Sequence, residues 1–176
     1  QSRGHGDVDR RQTYMDEAMR ALNRAVGGIW SNSPHAPAWK LEDSYISKDN
    51  TCVDYGEEEF TLGKPHPAID PSIRRPGIAR EAADPEVAVV LLDFILTPPG
   101  YMDPAGYALE DILPAMSNAA KAGRKLVFIA SVLGTDADFK DVDAKRKKLA
   151  DAGVIVCKIH YGAARGAGEI VRLRKE

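Results

Sequence analysis

Apolar and polar positions change rhythm near residue 85. Beyond it, Glu86–Leu96 (EVAVVLLDFIL) is an almost unbroken aliphatic run, the signature of a strand buried on both faces. Asp103-Pro104 then supplies an N-cap and a first-turn proline. Leu109, Ile112, Leu113, Met116 and Ala120 follow along one face of a helix, which Pro114 should kink and Gly123 should end. Lys125–Leu133 predicts a second buried strand, Asp138–Ala152 a helix with Phe139, Val142 and Leu149 inward, Val154–Ile159 a third strand, and Ala163–Arg174 a last helix. Before residue 85, Met15, Ala18, Met19, Leu22, Ala25 and Val26 mark an amphipathic helix closed by Gly27-Gly28, and Ile29-Trp30 opens a short strand.

The stretch between is less regular. Six of the 11 prolines fall between residues 34 and 76. Residues 33–64 read as a long loop or small excursion, with a β-ribbon expected around Thr51–Tyr55 and Glu59–Leu62. Asp70-Pro71 starts a helix that Pro76-Gly77 should interrupt and Asp84-Pro85 should end. The chain thus divides into a polar N-terminal segment, 1–13, and one domain, 14–176.

Strands alternating with helices predict a doubly wound α/β fold with a parallel sheet and helices on both faces. Four parallel strands are expected, near 29–31, 87–96, 125–133 and 154–159. The strand that should precede the first helix is missing, because residues 3–10 (RGHGDVDR) carry one aliphatic side chain, Val8. A sheet lacking that strand has a gap or an open edge, which predicts a dimer or larger complex.

The chain has 176 residues, 28% of them charged, and a net charge of −2 from 24 basic and 26 acidic side chains. That balance argues against a dedicated nucleic-acid binder. No apolar run approaches a membrane span. The polar opening resembles no targeting leader, and Cys52 and Cys157 form no CxxC pair, which together predict a cytoplasmic protein. The histidines and cysteines show no metal-ligand spacing, so no metal site is expected.

Ligands of open parallel sheets bind beyond the carboxyl ends of the strands. This nominates the loops Ser31–Ser33, Thr97–Gly100, Gly134–Asp138 and His160–Gly162, with Asn32, Gly100, Gly134 and Thr135 as candidate anion-binding positions. The glycines of Gly162–Gly168 either cradle phosphate or permit close helix packing. The densest signal is Gly63-Lys-Pro-His-Pro-Ala-Ile-Asp70, where two prolines stiffen His66. A rigid imidazole suits acid–base or ligand-binding chemistry, and the same pattern also suits a structural turn. Asp93, in an apolar strand, must face the ligand edge or find a partner in a neighbouring loop. His160 either faces that edge or is structural, and Cys157 reads as core.

Two runs, Tyr55-Gly-Glu-Glu-Glu-Phe-Thr-Leu-Gly-Lys-Pro-His-Pro-Ala-Ile-Asp70 and Ala83-Asp-Pro-Glu-Val-Ala-Val-Val-Leu-Leu-Asp93, resemble the FdrA family, which is similar to the CoA-ligase domains of succinyl-CoA synthetase and other acyl-CoA synthetases. The resemblance extends from about Tyr14 to the C-terminus. It implies a flavodoxin-like sheet and an enzyme subunit handling acyl or carbamoyl groups, with His66 as the candidate catalytic residue and Gly63 in its motif. CoA is the cofactor it implies, although some relatives are implied to act in oxamate carbamoyl transfer. The partners implied are a small acyl or carbamoyl substrate and further subunits. Two departures stand out. The synthetases carry a phosphorylated histidine after their FIASVLGT-like strand, where Gly134-Thr-Asp-Ala-Asp138 has none. Their first strand and Ser-Gly-Gly-Thr-like loop are replaced here by Asp9-Arg-Arg-Gln-Thr13. The resemblance therefore predicts a transfer enzyme without phosphohistidine, the alternative being a non-catalytic assembly or regulatory subunit.

Overall fold

The computed structural model describes residues 10–96, 100–134 and 141–174. The first helix, α1, runs Arg10–Val26 and begins a turn earlier than its apolar face alone requires. Gly27 and Gly28 end it in the left-handed region, φ +65° and +63°. Strand β1 (Trp30–Ser31) pairs in parallel with β2 (Thr51–Cys52), and the short helix α2 (Glu58–Thr61) follows. A 3-10 turn, Pro71–Arg74, leads into α3 (Arg75–Ala83). The regular half is β3 (Val89–Ile95), α4 (Pro104–Lys121), β4 (Val127–Leu133), α5 (Val142–Asp151), β5 (Ile155–Cys157) and α6 (His160–Arg174).

Every described strand pair is parallel, and helices cover both faces of the sheet β3-β4-β5. The period-2 alternation of buried strands explains the layering. Val90, Leu92, Phe94, Phe128, Ala130 and Val132 turn towards the cluster containing Ile78 of α3, Ile112 of α4 and Leu149 of α5. Val89, Leu91, Val127 and Ile129 turn the other way, onto Ala163 and Ala167 of α6. Helix α1 packs on α6 through small residues, Ala18 and Ala21 against Ala164. Gly168 makes that approach possible, because a Cβ there would lie 2.6 Å from the Cβ of Ala25. The glycines of 162–168 thus all lie inside α6, where close packing accounts for Gly168.

Three expectations need correction. The 29–31 strand does not join the main sheet; it forms a separate two-stranded sheet with Thr51–Cys52. The second arm of the expected β-ribbon is the helix Glu58–Thr61, closed on Phe60, which is 1% exposed. Pro76 starts α3 rather than breaking it, since a first-turn proline loses no intrahelical bond. Pro114 lies within α4, which runs on to Lys121. The helix expected from Asp138 is described from Val142, and Phe139 lies outside the described residues.

Two arginines fasten the entrance to β3. Arg124 donates to the carbonyls of Ala82 (2.7 Å) and Asp84 (2.9 Å), and Arg174 donates to those of Glu86 (3.0 Å) and Pro85 (3.3 Å). On the far side, Asp103 caps α4 by accepting from the Gly106 N–H at 3.0 Å and also binds Lys145 and Lys148 of α5. Among the described residues, no helix is long and apolar enough to cross a membrane.

Candidate functional site

Past the carboxyl ends of β1 and β2, Asn32 is 3% exposed and makes a two-way clamp with the next loop. Its amide donates to the Asp54 carbonyl and to Glu59 Oε1, both at 2.9 Å, and its side-chain carbonyl accepts from the Asp54 N–H at 2.9 Å. The Ser44 hydroxyl lies 2.8 Å from the same Glu59 Oε1 and 2.9 Å from Oε2, which further fixes the carboxylate. The Asp54 carboxylate in turn accepts from the Gly56 N–H at 2.7 Å. A Cβ on Gly56 would stand 3.0 Å from His66 Nε2, so the glycine lets the imidazole press against this turn. Asn32 and His66, far apart in sequence, are thereby joined through Asp54 and Gly56.

The ring orientation of His66 follows from one bond. The Ala68 N–H donates to His66 Nδ1 at 3.0 Å, which requires a lone pair on Nδ1 and places the proton of the neutral ring on Nε2. The same turn holds the loop after β3, because the Tyr101 N–H donates to the Ala68 carbonyl at 2.7 Å. Gly100 therefore lies beside the His66 turn. Gly134 is exposed at the end of β4. Gly63 is exposed and adopts φ +71° just after α2. Thr135 lies outside the described residues, as do Thr97–Pro99 and Thr135–Asp138 of the nominated loops.

Asp93 satisfies both readings of its position. Its carboxylate sits 3.7 Å from the Arg74 guanidinium, its backbone carbonyl accepts from Arg74 Nη1 at 2.6 Å, and it lines a large cleft. The cleft encloses about 750 Å³, and its lining includes Cys52, Asp54, His66, Arg74, Asp93 and His160. His160 begins α6, is 5% exposed, and shares a 3.0 Å hydrogen bond between its Nδ1 and the Ser131 hydroxyl. Burial, reinforced by the Asp93 and Asp54 carboxylates, pushes the Cys52 thiol up to about 12. A thiol so placed is no nucleophile at neutral pH. Burial also raises the Tyr55 phenol, whose hydroxyl fits against Gly77 of α3.

Residues 12–170 match the CoA-ligase family, nine-tenths of the chain. The chain belongs to that family. It is also 42% identical over 144 residues to the uncharacterized protein YahF of Escherichia coli (strain K12), an alignment covering 82% of this chain and 28% of that protein. The chain therefore spans less than a third of the relative's length.

The CoA-ligase family suggests CoA, and the two arginines nearest His66 are already paired with carboxylates. Arg74 is engaged by Asp93, Arg75 by Asp111 (2.9 Å) and Glu110 (3.3 Å), and the carboxylates of Asp54 and Glu59 stand close to the clamp. Inspection of the residues by type missed Asp54, Glu59, Ser44 and Arg74. Only Arg74 had left a trace, since a carboxylate in an apolar strand demands a partner.

Proposed function

We propose that this CoA-ligase domain belongs to an FdrA-like acyl or carbamoyl transfer enzyme and holds a small carboxylate or carbamoyl substrate at the carboxyl edge of its strands, with no phosphohistidine. The observation that supports this most is the hydrogen-bonded run from Asn32 through Asp54 to Gly56, against which the His66 ring packs at that edge while the Ala68 N–H fixes its Nδ1 as acceptor. His66 acts as the donor that positions or polarises a substrate carbonyl, Arg74 supplies positive charge, and Asn32 keeps the loop in place. Gly100, Gly134 and Thr135 contribute backbone around the substrate, and Gly63 lets the chain turn into the His66 motif.

The same tautomer supports a mechanism without phosphohistidine. Phosphorylation needs a lone pair on the attacking nitrogen, and on His66 the Nε2 carries the proton while Nδ1 is occupied by the Ala68 N–H. Pro65 and Pro67 also remove amide donors that would hold a phosphoryl group. Transfer then runs directly between bound substrates, and the enzyme works in the cytoplasm together with further subunits.

The test is a thermal-shift screen with oxamate, carbamoyl phosphate, acyl-CoAs and CoA. A true ligand at a hundredfold its dissociation constant adds about 2.7 kcal/mol of stability. Saturable stabilisation by one of these compounds that His66→Asn weakens supports the reading. No stabilisation by any of them removes it, and stoichiometric alkali-stable label from γ-labelled nucleotide, lost in His66→Asn, refutes the direct-transfer mechanism.

A further inference from the structure

His160 takes no part in the edge built around His66, yet its imidazole is only half satisfied. The residue is 5% exposed, and its Nδ1 lies 3.0 Å from the Ser131 hydroxyl. The other ring nitrogen, Nε2, is buried and has no hydrogen-bond partner among the described residues. Folded interiors rarely leave such a group unpaired, because it has given up water for nothing. His160 also lines the cleft, so the unpaired nitrogen belongs to a residue beside open space. The Tyr14 ring, which lines the same cleft, meets the imidazole edge-on with ring centres 5.5 Å apart and steadies its plane.

The bond to Ser131 decides what Nε2 offers. Ser131 is 0% exposed, and His160 Nδ1 is the recorded partner of its hydroxyl. Were the proton on Nδ1, the serine hydrogen would be buried without an acceptor among the described residues. Donation from the hydroxyl to Nδ1 removes that conflict and puts the proton of the neutral ring on Nε2. A doubly protonated ring carries a hydrogen on Nε2 as well. The unpaired group is therefore a donor, and what it lacks is an acceptor.

The surroundings narrow the chemistry of that acceptor. Ala18 and Leu22 of α1, Val89 and Leu91 of β3 and Ala167 of α6 line the same cleft and belong to the apolar clusters that join these three elements. A space of about 750 Å³ with apolar walls and a few oriented polar groups has the build of a small-molecule site. Charge then selects among ligands. Asp93 holds the register position next to Ser131, on the same face of the sheet, so an anionic head beside His160 would meet a like charge. We propose that this part of the cleft binds an uncharged carbonyl compound with an apolar chain, an amide or a ketone, whose oxygen accepts from His160 Nε2. Ser131 is the positioning residue that keeps the donor on that nitrogen. The subsite requires no role for His66, and it stands or falls separately from the edge.

The experiment titrates the 176-residue protein with octanamide and, separately, with octanoate, which has the same chain and a charged head. Long-range proton–nitrogen NMR spectra of the imidazoles report the tautomer and the binding together. His160 should show the Nε2-protonated signature before any ligand is added, and that nitrogen should shift saturably with octanamide. Octanoate should bind about tenfold more weakly or worse. His160→Phe keeps a ring against Tyr14 but loses the donor, and should weaken octanamide about three- to tenfold, the worth of one buried hydrogen bond. Ser131→Ala keeps the imidazole, and should let the Nδ1-protonated form appear and weaken octanamide by a smaller factor. An Nδ1-protonated His160 in the unmodified protein would overturn the proposal, as would the lack of saturable octanamide binding or an equal affinity for octanoate. Octanamide affinity unchanged in His160→Phe would overturn it too. Should that variant not fold, Ser131→Ala decides in its place, and an unchanged tautomer and affinity there would sink the assignment.

Discussion

Gly166 and Gly168 lie two residues apart on α6, so replacing each by alanine makes the same chemical change in two different surroundings. At Gly166 the new Cβ would meet Ile129 Cδ1 at 3.9 Å, an ordinary contact. The substitution there should stabilise the protein by about 0.5–1 kcal/mol, because alanine loses less backbone entropy in a helix. At Gly168 the Cβ would stand 2.6 Å from the Cβ of Ala25, about 1 Å inside the favourable carbon–carbon separation. That atom belongs to helix α1 and has no rotamer to yield, so α1 itself must move. Backbone shifts of this kind cost about 1–3 kcal/mol, which outweighs the propensity gain. Urea titrations of the two variants should therefore separate by about 1–3 kcal/mol, with Gly168→Ala the less stable, and their Tm values by about 2–4 °C for each kcal/mol. Adding Ala25→Gly to Gly168→Ala should restore part of the loss, a coupling of about 1 kcal/mol or more. If Gly168→Ala proves as stable as Gly166→Ala and shows no coupling to Ala25, the close approach of α1 and α6 is not what the glycine serves.

Asp103→Ala removes the α4 cap and both lysine partners on α5, and should cost about 1 kcal/mol by urea denaturation. Burial opposes ionisation of Asp103, but hydrogen bonds from Lys148, the Gly106 N–H and Lys145 prevail and hold its carboxyl below the ordinary range. A depressed carboxyl stabilises the fold above its unfolded value near 3.9 and loses that contribution as pH falls through its folded value; the wild-type stability should thus drop more steeply below about pH 4 than that of the variant. Cys52, raised to about 12, should react with iodoacetamide at pH 8 far more slowly than an unfolded cysteine of pKa about 8.5, as peptide mass mapping would detect. Phe60→Ala, which empties a site between the rings of Tyr45 and Tyr55, should cost about 3–5 kcal/mol, with chemical denaturation as the measure; a loss under 1 kcal/mol would mean that α2 is not anchored there.

The main sheet was readable because its strands are uniform. Residues 86–96, 125–133 and 154–159 are apolar on both faces, and only a strand between two helical layers has use for that pattern. Glu59–Leu62 misled because Phe60 and Leu62 alternate with polar neighbours, as in a strand, while the decisive event is one ring, Phe60, closing on two tyrosines. The candidate site was legible in its outline. Asn32 follows a strand end and His66 is braced by prolines, and both facts are local. The Asp54–Gly56 turn that links them depends on a contact between segments 22 residues apart, for which residue type carries no signal. Arg74 was implied only as the answer to a question, namely what neutralises Asp93.

The arginine contacts at residues 82–86 give β3 the mechanics of a cantilever. Four guanidinium-to-carbonyl bonds hold its root, while near the tip, among the described residues, Arg74 bonds the Asp93 carbonyl. Bending should therefore concentrate at Asp93 and Ile95, beside the substrate edge, and fade towards Val87. A ligand that draws Arg74 away from Asp93 would loosen the tip without disturbing the root. Sliding of the whole strand is opposed, since it must break the bonds of Arg124 and Arg174 together. The domain is thus stiff where the chain enters the sheet and compliant at the edge proposed to hold the substrate.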